Sequence, residues 1–134
     1  MASATHLSAQ ERFQVINEAR KALDAADLPN AHIIAGTGSG STKETIEHCV
    51  AAAEAGADSV IVVFPSYYAG LGMPKTAVRD YFLRVAESSP LPVVVYNFPP
   101  CAGGVDLNSD DLIEISQHPN VVGTKVRMEV ALIS

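Results

Sequence analysis

The chain has 134 residues, enough for one domain over 1–134, and its 48% hydrophobic and 18% charged composition excludes disorder. A net charge of -6 argues against a nucleic-acid partner, and no apolar run approaches the roughly 20 residues of a membrane span. The opening MASATHLSAQER lacks a signal-peptide pattern and carries a single Arg; with two cysteines, Cys49 and Cys101, at no metal spacing, the default is a reducing, cytoplasmic compartment, a mitochondrial one being left open.

Residues 8–27 read as a helix. Phe13, Ile16, Ala19, Leu23 and Ala26 recur at steps of three and four, Ser8 with Glu11 makes a capping box, and Pro29 and Asn30 end it. A short apolar run at 32–35 leads into Gly36, Gly38 and Gly40. Ser41 with Glu44 is a second capping box, Ile46, Cys49, Val50 and Ala53 form the stripe expected to be buried, and Gly56 is placed for a left-handed C-cap. Residues 59–64, SVIVVF, are continuous rather than alternating, as in a strand covered on both faces. Pro74 can open a third helix, whose core face is Val78, Phe82 and Val85. PVVVY at 92–96 is a further strand. A short helix at 109–117 carries Leu112, Ile113 and Ser116 on one side, and VVGTK at 121–125 is the last strand. Strand centres near 33, 61, 94 and 123 repeat at the spacing of βα units. The class is α/β, either an open doubly wound sheet or part of a (β/α)8 barrel; periodicity does not separate the two.

The glycine loop fails both nucleotide fingerprints. After Gly36-x-Gly38 the third glycine position holds Ser41, the next strand ends in Phe64-Pro65 without an acidic residue, and Lys43 follows Thr42 instead of preceding it. A tight strand-to-helix turn accounts for the glycines. Chemistry is better sought at the carboxyl ends of the strands, where parallel α/β folds bind ligands. Tyr67 and Tyr68 follow one strand, Tyr96 ends the next and Lys125 ends the last. A strand-end lysine can snorkel to water; it can also serve as a Schiff-base amine, and a nearby phenol then carries the protons that imine chemistry moves.

In order along the chain, AGTGSGSTKETIE, AGADSVIVVFPSYY, LPVVVYNFPP with GGVDL, and HPNVVGTK resemble successive motifs of the dihydrodipicolinate synthase / N-acetylneuraminate lyase family of class I aldolases. The resemblance runs from about His6 to Lys125. It implies a partial barrel of about four βα units, corresponding to strands 3–6 of eight, with the glycine loop as the turn after the third strand. It implies Lys125 as the imine-forming lysine, Tyr96 as the proton relay, and Tyr67 or Tyr68 as the tyrosine that many members extend into a neighbouring subunit's site. Tyr68, Gly103 and Gly104 would lie on the substrate side. The implied substrate is a small 2-oxo acid, with pyruvate as product or donor. A homo-oligomer is implied, and neither a metal nor any other cofactor. Cys101 stands near the place of the arginine that dihydrodipicolinate synthases use for a substrate carboxylate, which turns the expectation toward 4-hydroxy-2-oxoglutarate or 2-keto-3-deoxy-acid aldolases. MAS stands where the family's carboxylate-cradling G-[ST]-x-G-E would fall, and VRMEVALIS replaces the usual continuation after the lysine. Both ends look cut. The competing expectation is an inactive half-barrel fragment that associates through its exposed sheet edges.

Overall fold

The computed structural model describes residues 7–66 and 72–126. Helix α1 (Ala9–Ala25), strand β1 (Ile34–Gly36), α2 (Thr42–Ala55), β2 (Ser59–Val63), α3 (Lys75–Ser88), β3 (Val93–Asn97), a 3-10 turn (Pro99–Ala102), α4 (Ser109–Ser116) and β4 (Val121–Val126) follow one another. The four strands form one parallel sheet in the order β1-β2-β3-β4. This order decides between the two sequence-level alternatives. A doubly wound sheet reverses direction at a switch point, whereas here each strand is laid beside its predecessor on the same side. Right-handed crossovers then stack every connecting helix on one face. The result is an arc of a (β/α)8 barrel.

Helix signals in the sequence are realised in detail. Ser8 and Glu11 cap α1 reciprocally, at 3.1 Å from the Glu11 N–H to Ser8 Oγ and 2.8 Å from the Ser8 N–H to Glu11 Oε2. Only half of the second box forms: Ser41 Oγ accepts the Glu44 N–H, while the Glu44 carboxylate turns to His48. Gly56 closes α2 at φ 105°, where a Cβ would stand 3.1 Å from Arg20 Cγ. Pro74 is the N-cap of α3 rather than its first residue, and α4 starts on a full Asn108–Asp111 box.

Two stripes differ from expectation. In α2 the buried residues are Thr45, Cys49, Ala52 and Ala55, while Val50 is exposed. The helix turns its small residues inward because α3 brings Tyr81 against it, and Thr45 hydrogen-bonds the Tyr81 hydroxyl at 2.9 Å. In α4, Ile115 is fully buried and Ile113 is 61% exposed. The stripe of α1 is only partly buried, since this helix packs mainly on α2 rather than on a strand.

The sheet has one sealed face. Ala35, Val60, Val93 and Val121 align across the four strands, and Val62 pairs with Val95 one step along; all are buried beneath the helices with Phe82, Val78, Val85 and Ile115. Covering on both faces, as the continuous apolar strands suggested, is not found among the described residues. The alternate residues Ile61, Val63 and Val94 are half-buried, and Ile34 is 55% exposed. This second face is the one that lines the interior of a barrel.

The amino end of the sheet is tied by side chains. Arg20 donates to the carbonyls of Gly56, Pro29 and Ala31 and pairs with Asp58, whose carboxylate also accepts the Ile33 N–H at 2.8 Å. That backbone bond, and then the Arg20 charge, hold the Asp58 carboxyl below its usual range. The Asn120 amide donates to the carbonyls of Ala86, Ser89 and Leu91.

Candidate active site

Strand register brings two of the candidate residues together. Val63, Tyr96 and Lys125 are partners across β2, β3 and β4, so their side chains leave the same, inner face at its carboxyl end. Lys125 Nζ lies 4.6 Å from the centroid of the Tyr96 ring. A cation over a phenol ring at an exposed site is stabilised by about 0.5–1 kcal/mol, which favours this rotamer of a long, flexible side chain. Tyr96 is 7% exposed, whereas Lys125 is exposed because no described residue covers the inner face beside it. The strand-end lysine is therefore not buried in this chain, although it stays against the phenol.

The β3–β4 pairing carries an irregularity between Val93 and Val94, where β4 gains Val122. This shift determines the partner of the lysine. Without the extra residue, Thr124 would stand opposite Tyr96 and the lysine would fall on the helix side.

After β3, Phe98 stacks on Tyr96 with centroids 5.2 Å apart and planes at 17°. The chain then turns through Pro99–Ala102 into Gly103 (φ 63°) and Gly104 (φ 88°). Both glycines are exposed, and both N–H groups point to the Pro99 carbonyl. Their contribution to a ligand would be clearance for the backbone rather than hydrogen bonds. Cys101 is exposed on this turn. Asn97, absent from the sequence-level candidates, is buried and bonds Asp106 and Leu107. Tyr67 and Tyr68 lie outside the described residues.

The glycine loop passes over the end of β2. A Cβ on Gly38 would meet Val63 O at 3.1 Å and Val63 Cγ1 at 3.2 Å, so only glycine allows the loop to approach so closely. Some of its polar groups bond within the chain: the Ser39 N–H donates to Thr45 Oγ1, which meets the Tyr81 hydroxyl, and Thr37 Oγ1 lies 3.3 Å from Cys49 Sγ. Burial raises the Cys49 thiol and pushes the Tyr81 phenol to about 12, so both stay neutral at ordinary pH. A loop packed in this way is a wall of the site.

A sequence profile described as the dihydrodipicolinate synthetase family matches residues 3–131. The chain belongs to this family. Among its relatives, one from Emericella nidulans, named "Probable 4-hydroxy-2-oxoglutarate aldolase, mitochondrial", is 46% identical over 123 residues, which make up 92% of this chain and 40% of that one. An L-threo-3-deoxy-hexylosonate aldolase from Aspergillus niger is 45% identical over 122 residues, 91% of this chain and 36% of its own length. Among solved structures, the dihydrodipicolinate synthase of Acinetobacter baumannii complexed with pyruvate superposes with a TM-score of 0.80 at 36% identity, over 92% of this chain and 40% of that one. A prophage protein of the family from E. coli K12, also in complex with pyruvate, gives 0.82 at 30%, over 96% and 41%. The chain thus spans about two fifths of the length of the relatives it matches. The partial barrel read from the strand order is the fold of this family.

Proposed function

We propose that this chain carries the nucleophile and the proton relay of a class I aldolase acting on a 2-oxo acid. The observation that carries the reading is the pairing of Tyr96 with Lys125 on adjacent strands, with the amine over the phenol ring at the ligand-binding end of the inner face. Family membership and the aldolase names of its relatives support it, and two similar structures are complexes with pyruvate.

In this mechanism the unprotonated Lys125 amine attacks the ketone carbon, Tyr96 gives its proton to the resulting carbinol hydroxyl, and water leaves, forming a protonated imine and a Tyr96 phenolate. In the cleavage direction Tyr96 takes the proton of the hydroxyl two carbons beyond the imine carbon. The bond between the hydroxyl-bearing carbon and its neighbour breaks, an aldehyde departs, and the electron pair enters the imine to give an enamine. Protonation of the enamine and hydrolysis release pyruvate and restore the amine. Condensation is the reverse. Tyr67 or Tyr68, on the segment after β2, is proposed to complete the relay from a neighbouring copy in a homo-oligomer, with Gly103 and Gly104 giving room for the substrate's distal half. No metal or other cofactor is required. Release of pyruvate from 4-hydroxy-2-oxoglutarate or a 2-keto-3-deoxy sugar acid, measured with a coupled dehydrogenase, tests the activity; release that persists undiminished in Lys125→Ala would defeat it.

The open inner face favours a second reading. Ile34, on the inner face of one edge strand, is 55% exposed, and no described element covers it. A half-barrel in this condition is expected to associate through its edges and to be inactive until further strands cover that face. Light scattering across a dilution series separates the readings: a compact monomer contradicts edge association. As to location, two relatives bear "mitochondrial" in their names, which supports mitochondria beside the cytoplasmic default, and imaging of a tagged chain decides it.

A further inference from the structure

We infer that Asn97 is a positioning residue that sets the Tyr96 phenol against Lys125, a role that rests on the aldolase reading above. The Asn97 side chain substitutes for a peptide group. Its Oδ1 accepts the Leu107 N–H at 3.1 Å, and its Nδ2 donates to the Leu107 carbonyl at 3.1 Å and to Asp106 Oδ1 at 2.9 Å. The three bonds fix the orientation of the amide, because the reversed one would set oxygen against two oxygens. The side chain is buried, so its two bonds to Leu107 are shielded from water, while the bond to the exposed Asp106 is only partly so.

The consequence lies in what the clasp encloses. It joins the last residue of β3 to the residue just before the Asn108 N-cap of α4, closing loop 98–107 across its neck. Inside the loop, the Cys101 and Ala102 N–H groups both donate to the Phe98 carbonyl, at 3.0 and 3.1 Å, and Gly104 donates to Pro99. The turn thereby holds Phe98, and the Phe98 ring lies on Tyr96. A contiguous series of contacts therefore runs from Leu107 through Asn97 and the turn to Phe98, Tyr96 and Lys125. A proton relay needs its hydroxyl held to within a fraction of an ångström, and loops seldom provide that unless they are tied.

Asn97→Asp tests the role. The carboxylate keeps the acceptor for the Leu107 N–H, loses the donor, and faces the Leu107 carbonyl and Asp106. Hydrogen exchange at Cys101, Ala102, Gly104 and Leu107 is expected to speed up with far-ultraviolet dichroism unchanged. Reductive trapping of pyruvate at saturation is expected to slow by about tenfold to a hundredfold, with a smaller change in the half-saturating concentration. Asn97→Asp combined with Asp106→Asn restores one donor–acceptor pair with reversed polarity and should recover part of both effects. Faster exchange in Asn97→Asp with an unchanged trapping rate would overturn the positioning role and leave a loop tether. Absence of trapping by the unmodified chain would overturn the aldolase reading itself, and the positioning role with it. Should Asn97→Asp fail to fold, Phe98→Leu probes the next contact with the clasp intact, and an unchanged saturating rate there would also overturn the inference.

Discussion

The two faces of the sheet are built from alternate residues of the same strands and have opposite characters. The helix face is closed: Val60, Val62, Val93 and Val95 are fully buried beneath Phe82, Val85 and Ile115. The inner face presents Ile34, Ile61, Val63 and Val94 to partial or full exposure and carries Tyr96 and Lys125 at its carboxyl end. One face accounts for most of the stability and the other holds the proposed chemistry. A single-residue step in register separates them, and for β4 the irregularity at Val122 determines that step.

Substitutions on the two faces should therefore fail in different assays. Phe82→Ala, on the closed face, is expected to cost about 3–5 kcal/mol in denaturant unfolding, by lost burial and the cavity left behind. Tyr96→Phe, on the open face, should slow pyruvate release about a hundredfold or more. Its unfolding midpoint should stay near that of the unmodified chain, because the ring is retained. Equal losses in both assays would blur the division. Asp58→Asn touches neither face and reports on the tied amino end. Its carboxyl titrates below the usual value in the folded chain, so its contribution is present above the unfolded pKa and lost as pH falls through the folded one. The variant should be less stable by about 1 kcal/mol at neutral pH, a figure reduced for solvent screening, and the difference should shrink as the pH falls below the ordinary aspartate range. Val94→Ala, half-buried on the inner face, should have the smallest effect, about 1 kcal/mol or less. A larger loss would mean that the inner face is covered in solution.

How far these differences can be read without coordinates depends on how local their causes are. The caps at Ser8, Ser41 and Gly56 and the four strands depend on residues a few positions apart, and they were legible to within one or two residues. The motif resemblance located Lys125 and Tyr96, which register then brought into contact. The inward stripe of α2 was legible at Cys49 but not at Thr45, which is drawn in by Tyr81, 36 residues away. The larger Ile46 and Val50 made a more convincing apolar pattern but lie to the side. Ile113 and Ile115 are equally apolar, and only the seat of α4 chooses between them. Asn97 left no periodic trace, since its partners lie ten residues on, across a loop. Continuous valines suggested cover on both faces. They do mark strands of a barrel, whose inner face needs the full ring of strands to be filled.

The central claim is that the Lys125 amine forms an imine with a 2-oxo acid. It is tested most directly by incubating the chain with pyruvate, reducing with borohydride and mapping the adduct by peptide mass spectrometry. The account predicts one reduced pyruvyl group on Lys125, absent without pyruvate and absent in Lys125→Ala. An adduct spread over Lys21, Lys43 and Lys75, or none at all while the chain is folded, would contradict it.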